Sequence, residues 1–108
     1  MPAAALRDSN LQTAVVSFSS SGDNTIIGAT ANQGIRVYRI FFVADVATTI
    51  IFKNGSTALS GSIPLFSGGA FVLDVSNEPW FITSIGSAFV INQSGTANVG
   101  GKVDFQKP

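Results

Sequence analysis

The chain contains no cysteine and no histidine. The first absence excludes a disulfide framework and leaves the redox compartment open. Together the two remove the commonest general base, the usual activator of a nucleophile, and the usual zinc and iron ligands. Charge is also scarce: six basic and six acidic residues make up 11% of the sequence, against about 25% in ordinary soluble domains. With zero net charge and no basic cluster, the long-range attraction to phosphate that nucleic-acid binders use is missing. No polybasic run or acidic tail points to a membrane surface. The longest apolar runs, such as "IFFVA" at 40–44, are strand-sized and too short to span a bilayer. The opening "MPAAALRDSN" lacks the charged start and long apolar segment of a signal peptide. The expectation is a protein made in the cytoplasm, with neither nucleic acid nor membrane as partner.

What is present is apolar. Hydrophobic residues form 45% of the 108, and nine of the eleven aromatics are Phe. A dispersed monomer needs charge at its surface, so this balance suggests that part of the surface is covered by other subunits. The carboxylates Asp8, Asp23, Asp45, Asp74, Glu78 and Asp104 are scattered, with no pair at an informative spacing. "SGDN" at 21–24 lacks the repeated acidic spacing of a calcium loop and reads as a turn. Gly68-Gly69 and Gly100-Gly101 form no phosphate-binding motif. No catalytic, metal-binding or cofactor-binding residue is nominated, and an enzyme is not expected.

Turn signals recur at short intervals, with runs rich in Val, Ile, Phe and Thr between them. Eight or nine strands are predicted, over 12–18, 24–30, 35–44, 47–53, 57–60, 69–75, 80–84, 87–92 and 97–106, with minimal helix. Many short, evenly spaced strands in a chain of this size indicate an all-β antiparallel sandwich of jelly-roll type. "KNGS" at 53–56 is the strongest hairpin signal, since Asn-Gly accepts the positive φ of a two-residue turn. Residues 1–10 carry no strand pattern and read as an arm, with 11–108 a single domain.

Alternation within strands says more. In "VGGKVDFQ", Val99, Val103 and Phe105 share one face, and Lys102, Asp104 and Gln106 the other. That is a strand with one side in the core and one in water. "GIRVYRIFFVAD" is apolar on both faces: Ile35, Val37, Phe41 and Val43 with Arg39, and Tyr38, Ile40, Phe42 and Ala44 with Arg36. Either a bulge shifts the register midway, or the second face packs on another subunit with Arg36 and Tyr38 at its edge. "ATTIIFK" repeats the pattern through Ile50, Ile51 and Phe52. Arg36, Tyr38, Ile40, Phe42 and Ile51 are therefore candidate oligomer contacts. Arg36, Arg39 and Lys53 serve equally as partner-binding charges or as edge charges that discourage aggregation. Trp80, directly after Pro79, is either a platform for a sugar ring or part of a structural turn, and burial in core or interface is the favoured expectation.

The order of motifs from 34 to 105 resembles small virion proteins of tailed bacteriophages. A "GIRVYRI" strand leads to a hairpin, followed by "GGAFVL", the turn "PWF", "GSAFVI" and a closing "VGGKVDF". The resemblance implies a jelly-roll-like sandwich and a decoration (cement) protein on the outer capsid surface. It also implies the major capsid protein and further copies of the chain as partners, trimers more often than dimers, with Pro79 and Trp80 as a structural turn. Ala4, Leu6 and Arg7 of the arm are the candidate capsid contact. The rival expectation is a receptor- or glycan-binding module of a head or tail fibre. A cellular trimeric ligand of the tumour-necrosis-factor type ranks last.

Overall fold

The computed structural model describes residues 11–75 and 77–107. The expected arm, including Ala4, Leu6 and Arg7, lies outside the described residues. Ten strands follow one another: β1 (Gln12–Phe18), β2 (Gly22–Ile27), β3 (Arg36–Ala44), β4 (Thr48–Asn54), β5 (Thr57–Ala58), β6 (Ile63–Leu65), β7 (Ala70–Leu73), β8 (Phe81–Ile82), β9 (Phe89–Gln93) and β10 (Val99–Gln106). Among the described residues there is no helix.

The strands form two antiparallel sheets. One runs β1-β10-β3-β7, with β8 beside β7 on the far edge of β3; the other runs β2-β9-β4-β5, with β6 also on β4. Consecutive strands alternate between sheets at β1/β2 and β3/β4, which is the double Greek-key order of a jelly roll. No strand is predicted over β6, because Pro64 interrupts its pattern. Pro64 is nonetheless paired with Thr49, at an edge where a missing donor is tolerated. The hairpin in "KNGS" turns one residue later than Asn-Gly suggests. Asn54 pairs with Thr57, so the turn is Gly55-Ser56, with Gly55 at φ 59°, the place glycine takes in a type II′ turn.

Phenylalanines fill the space between the sheets. Phe42 of the first sheet lies 6.3 Å, centroid to centroid, from Phe52 of the second. Phe71 stacks on Phe42 at 5.2 Å, and Phe81 and Phe89 close round Phe52 at 4.5 and 5.9 Å. Val16, Val37, Ile40, Ile50, Ile91 and Val103 are sealed around this cluster. Each such aliphatic side chain contributes about 1.5–3 kcal/mol by leaving water.

The ambiguity of residues 35–44 resolves into a bulge. Val37 pairs with Phe105 and Arg39 with Asp104, which leaves Tyr38 as an extra residue on β3. The inward parity therefore changes: Ile35 and Val37 face the core before Tyr38, and Ile40, Phe42 and Ala44 after it. Farther along the pair, opposite Phe42, β10 needs a residue without a side chain. A Cβ on Gly101 would collide with the Phe41 carbonyl oxygen and lie 2.6 Å from Phe42 Cα.

Candidate docking face

With Phe42 and Ile40 committed inward, the other side of β3 points away from the core and forms the middle of an outer face. Pairing registers place its residues in rows across the sheet. Thr13, Asp104 and Arg39 form one row. Val15, Lys102, Phe41 and Val72 form the next, and Ser17, Gly100, Val43 and Ala70 the third. Val15 is 72% exposed, Val72 63%, Val43 42% and Phe41 41%. Farther along the same face, Ile82, paired with Arg36, is also exposed.

The opposite outer face is polar where its strands cross. Asp23 pairs in register with Asn92, and Asn92 with Ile51. The Asp23 carboxylate accepts from Asn92 Nδ2 at 2.7 Å and from Lys53 Nζ at 2.9 Å. The Asn92 hydrogen bond, then the Lys53 contacts, hold the Asp23 carboxyl below its ordinary pKa. The two sides of the sandwich thus differ: large apolar side chains stand in water on the β1-β10-β3-β7 side alone of the two sheet centres.

A charged row bounds that apolar face. Thr13 Oγ1 donates to Asp104 Oδ1 at 2.8 Å, and Arg39 Nε donates to Oδ2 at 2.8 Å, with Nη2 at 2.7 Å. Lys102 Nζ stands 3.9 Å from Oδ1. Asp104 is buried, contrary to the solvent-facing place that simple alternation gives it. Burial pushes its pKa up, but the hydrogen bonds from Thr13 and Arg39 and the charges of Arg39 and Lys102 outweigh it. The carboxyl is held below its ordinary range.

The residues nominated as oligomer contacts do not share a surface. Ile40 and Phe42 are fully buried within one subunit, and Tyr38 nearly so. Ile40 and Phe42 are corrected to core positions, because the bulge turns their parity inward; Tyr38 is the bulged residue itself, buried outside the core cluster. Ile51 lies on the other sheet, half-buried. Arg36 is exposed on the apolar sheet and lines a cleft of about 330 Å³ with Asn32, Gly34, Ile35, Ile82, Thr83 and Ile85. The sequence reading missed Val15, Phe41, Val43 and Val72 as a set. Their signal, apolar residues at both parities of β3, was visible, but choosing between parities required the position of the bulge.

Trp80 is not buried: it is 47% exposed. Its ring Nε1 donates to the Asp74 carbonyl at 2.6 Å, and its backbone N donates to the Val37 carbonyl at 2.7 Å. The residue therefore bridges β7's end and β3 with both nitrogens while part of the indole stays in water. Pro79, half-buried, precedes it.

No protein-family model matches the chain, and no curated protein matches it. A solved structure of Bacillus endospore appendages, described as a novel family of disulfide-linked pili, is similar in fold. Its TM-score is 0.54 at 16% identity, covering 88% of this chain and 82% of that one. Likeness at that identity concerns the fold alone, and the present sequence holds no cysteine for a disulfide.

Proposed function

We propose that the chain is a structural subunit that docks through the outer face of β1-β10-β3-β7 onto the outside of a larger protein shell. The role is that of a capsid decoration protein of a tailed bacteriophage. The observation that carries this reading is the group Val15, Phe41, Val43 and Val72, large apolar side chains left in water around Lys102 on one side of a sandwich whose other outer face carries Asp23 and Asn92 at its centre. Exposed apolar side chains clustered in this way mark an interaction site. The order of motifs from 34 to 105 supports the virion setting, and the jelly-roll strand order is consistent with it.

In this reading the partner is the major capsid protein, and copies of the chain associate with one another. The neighbouring pilus structure lends support to self-association, since a pilus is an assembly. Binding only to the assembled shell stabilises it by mass action, and several modest contacts per oligomer multiply into firm attachment. The test is cosedimentation with particles of the encoding phage that lack the protein. Phe41→Asp and Val72→Asp should reduce binding at least tenfold while leaving the circular dichroism spectrum unchanged. Undiminished binding by both variants would overturn the assignment of this face.

The half-exposed indole of Trp80 favours a second reading, a glycan-binding module of a fibre. Only the ring face is available for stacking, because Nε1 is already donated to Asp74. Quenching of tryptophan emission by added sugars would advance this reading over the first.

A further inference from the structure

We propose that β1 is the seam of a two-fold dimer, in which the β1 strands of two copies pair antiparallel and join two sheets into one. The argument begins with the edges of the sandwich. An exposed edge strand invites pairing, and proteins blunt it by shortness, proline, charge or a bulge. β5 and β8 have two residues each, β7 has four, and β6 has three with Pro64 among them. β2 carries Asp23 and a register break between Thr25 and Ile27. β1 has none of these devices. Its seven residues, "QTAVVSF", contain no charge, proline or glycine, and pair with β10 in an unbroken register. Among the described residues no strand pairs with its second edge.

The occupant follows from the sequence of β1 itself. Residues directly opposite in an antiparallel pair point to the same side, so a dyad between identical strands must keep outward residues opposite outward ones. Centring it on Val15 pairs all seven residues: Val15 with Val15, Thr13 with Ser17, and Ala14 with Val16. Any permitted shift loses at least two pairs. Thr13, Val15 and Ser17 lie on the outer face, and Val16 is sealed in the core with Ala14 packed beside it. The five central residues thus pair apolar with apolar and hydroxyl with hydroxyl, both favourable cross-strand combinations, and Gln12 meets Phe18 at the two ends. It also explains the placement of Val15, which ends its row at 72% exposure. In the dimer that row runs Val72–Phe41–Lys102–Val15–Val15–Lys102–Phe41–Val72 without interruption. The contact is isologous and therefore closes at two copies rather than growing into a fibre.

This inference takes from the proposed function only that the partner is a second copy, and it is tested on the free protein, so that its failure and that of shell binding are separate results. Light scattering after gel filtration at about 100 μM should give a mass of about 22 kDa, twice the 11.2 kDa of one chain. Val15→Lys places a charge on the dyad and should give a monomer with unchanged circular dichroism. The register is read with single cysteines, for which the chain offers a clean background. A short bismaleimide should link Val15→Cys copies, whose Cβ atoms lie about 5 Å apart across the dyad. It should link Thr13→Cys copies at least tenfold more slowly, since they sit about 14 Å apart along the strands. A mixture of Thr13→Cys with Ser17→Cys should link as readily as Val15→Cys. A monomeric or trimeric wild type, an unaffected Val15→Lys dimer, or equal linking at Val15 and Thr13 would each overturn the proposal.

Discussion

Arg39 and Asp104 face each other across β3 and β10, Nη2 to Oδ2 at 2.7 Å, one step beyond the point where Tyr38 bulges out of register. The pair anchors the parity change. Before it, Ile35 and Val37 enter the core; after it, Ile40, Phe42 and Ala44 do, and Phe41 is turned out onto the exposed outer face.

Removing the carboxylate should therefore lower stability. Asp104→Ala takes away a buried acceptor, but Thr13 is exposed and the Arg39 side chain 36% exposed, so water replaces part of what is lost and about 1 kcal/mol should go. Asp104→Asn retains acceptance from Thr13 and should lose less. Chemical denaturation at pH 7 measures both.

The same group predicts a pH response. Its folded-state pKa lies below the ordinary value, so its contribution is complete above the unfolded value of about 3.9 and is lost as pH falls through the folded value. Wild-type stability should decline below about pH 4, and Asp104→Asn should show a shallower decline. The slope that remains comes from Asp23 and Asp45, which are also held low, by hydrogen bonds led by Asn92 and Asn98 respectively. Thermal unfolding between neutral and acid pH compares the curves.

Two adjacent glycines should behave oppositely. Gly101→Ala drives a methyl into the Phe41 carbonyl and the Phe42 backbone, so β3 and β10 must separate, at about 2–4 kcal/mol or outright misfolding. Gly100→Ala meets open space on the outer face and should change stability by less than about 0.5 kcal/mol. Unfolding midpoints of the two variants decide it.

Gln93 offers a further test away from the exposed apolar face. Its buried amide accepts from Thr48 Oγ1 at 2.9 Å and from Ala97 N at 3.2 Å, and donates to the carbonyls of Ser20 and Ala97. Gln93→Leu keeps the volume but strands these partners, so about 1–3 kcal/mol should be lost despite the gain in hydrophobicity. Denaturant titration checks the sign.

These residues also mark where the sequence was legible. The jelly-roll class and the near-absence of helix followed from many short apolar runs between turn signals, and the inward face of β10 from alternation, because Val99, Val103 and Phe105 repeat at period two. The bulge did not, since both parities of β3 are apolar and the choice lies in the partner strand's step from Asp104 to Phe105. The strand predicted over 87–92 stops one residue short of Gln93, where "NQSG" has turn composition. Gln93 is instead the last residue of β9, held inside by hydrogen bonds to a loop that local sequence cannot place. Which residues make up the exposed apolar face depended on the place of that bulge, and so its membership could not be read from the sequence.

The measurement closest to the central claim is the copy number of the chain in purified particles of the encoding phage, by quantitative mass spectrometry against the major capsid protein. A decoration role predicts a ratio equal to the capsid protein's or a simple fraction of it. A handful of copies per particle, or none, would contradict it.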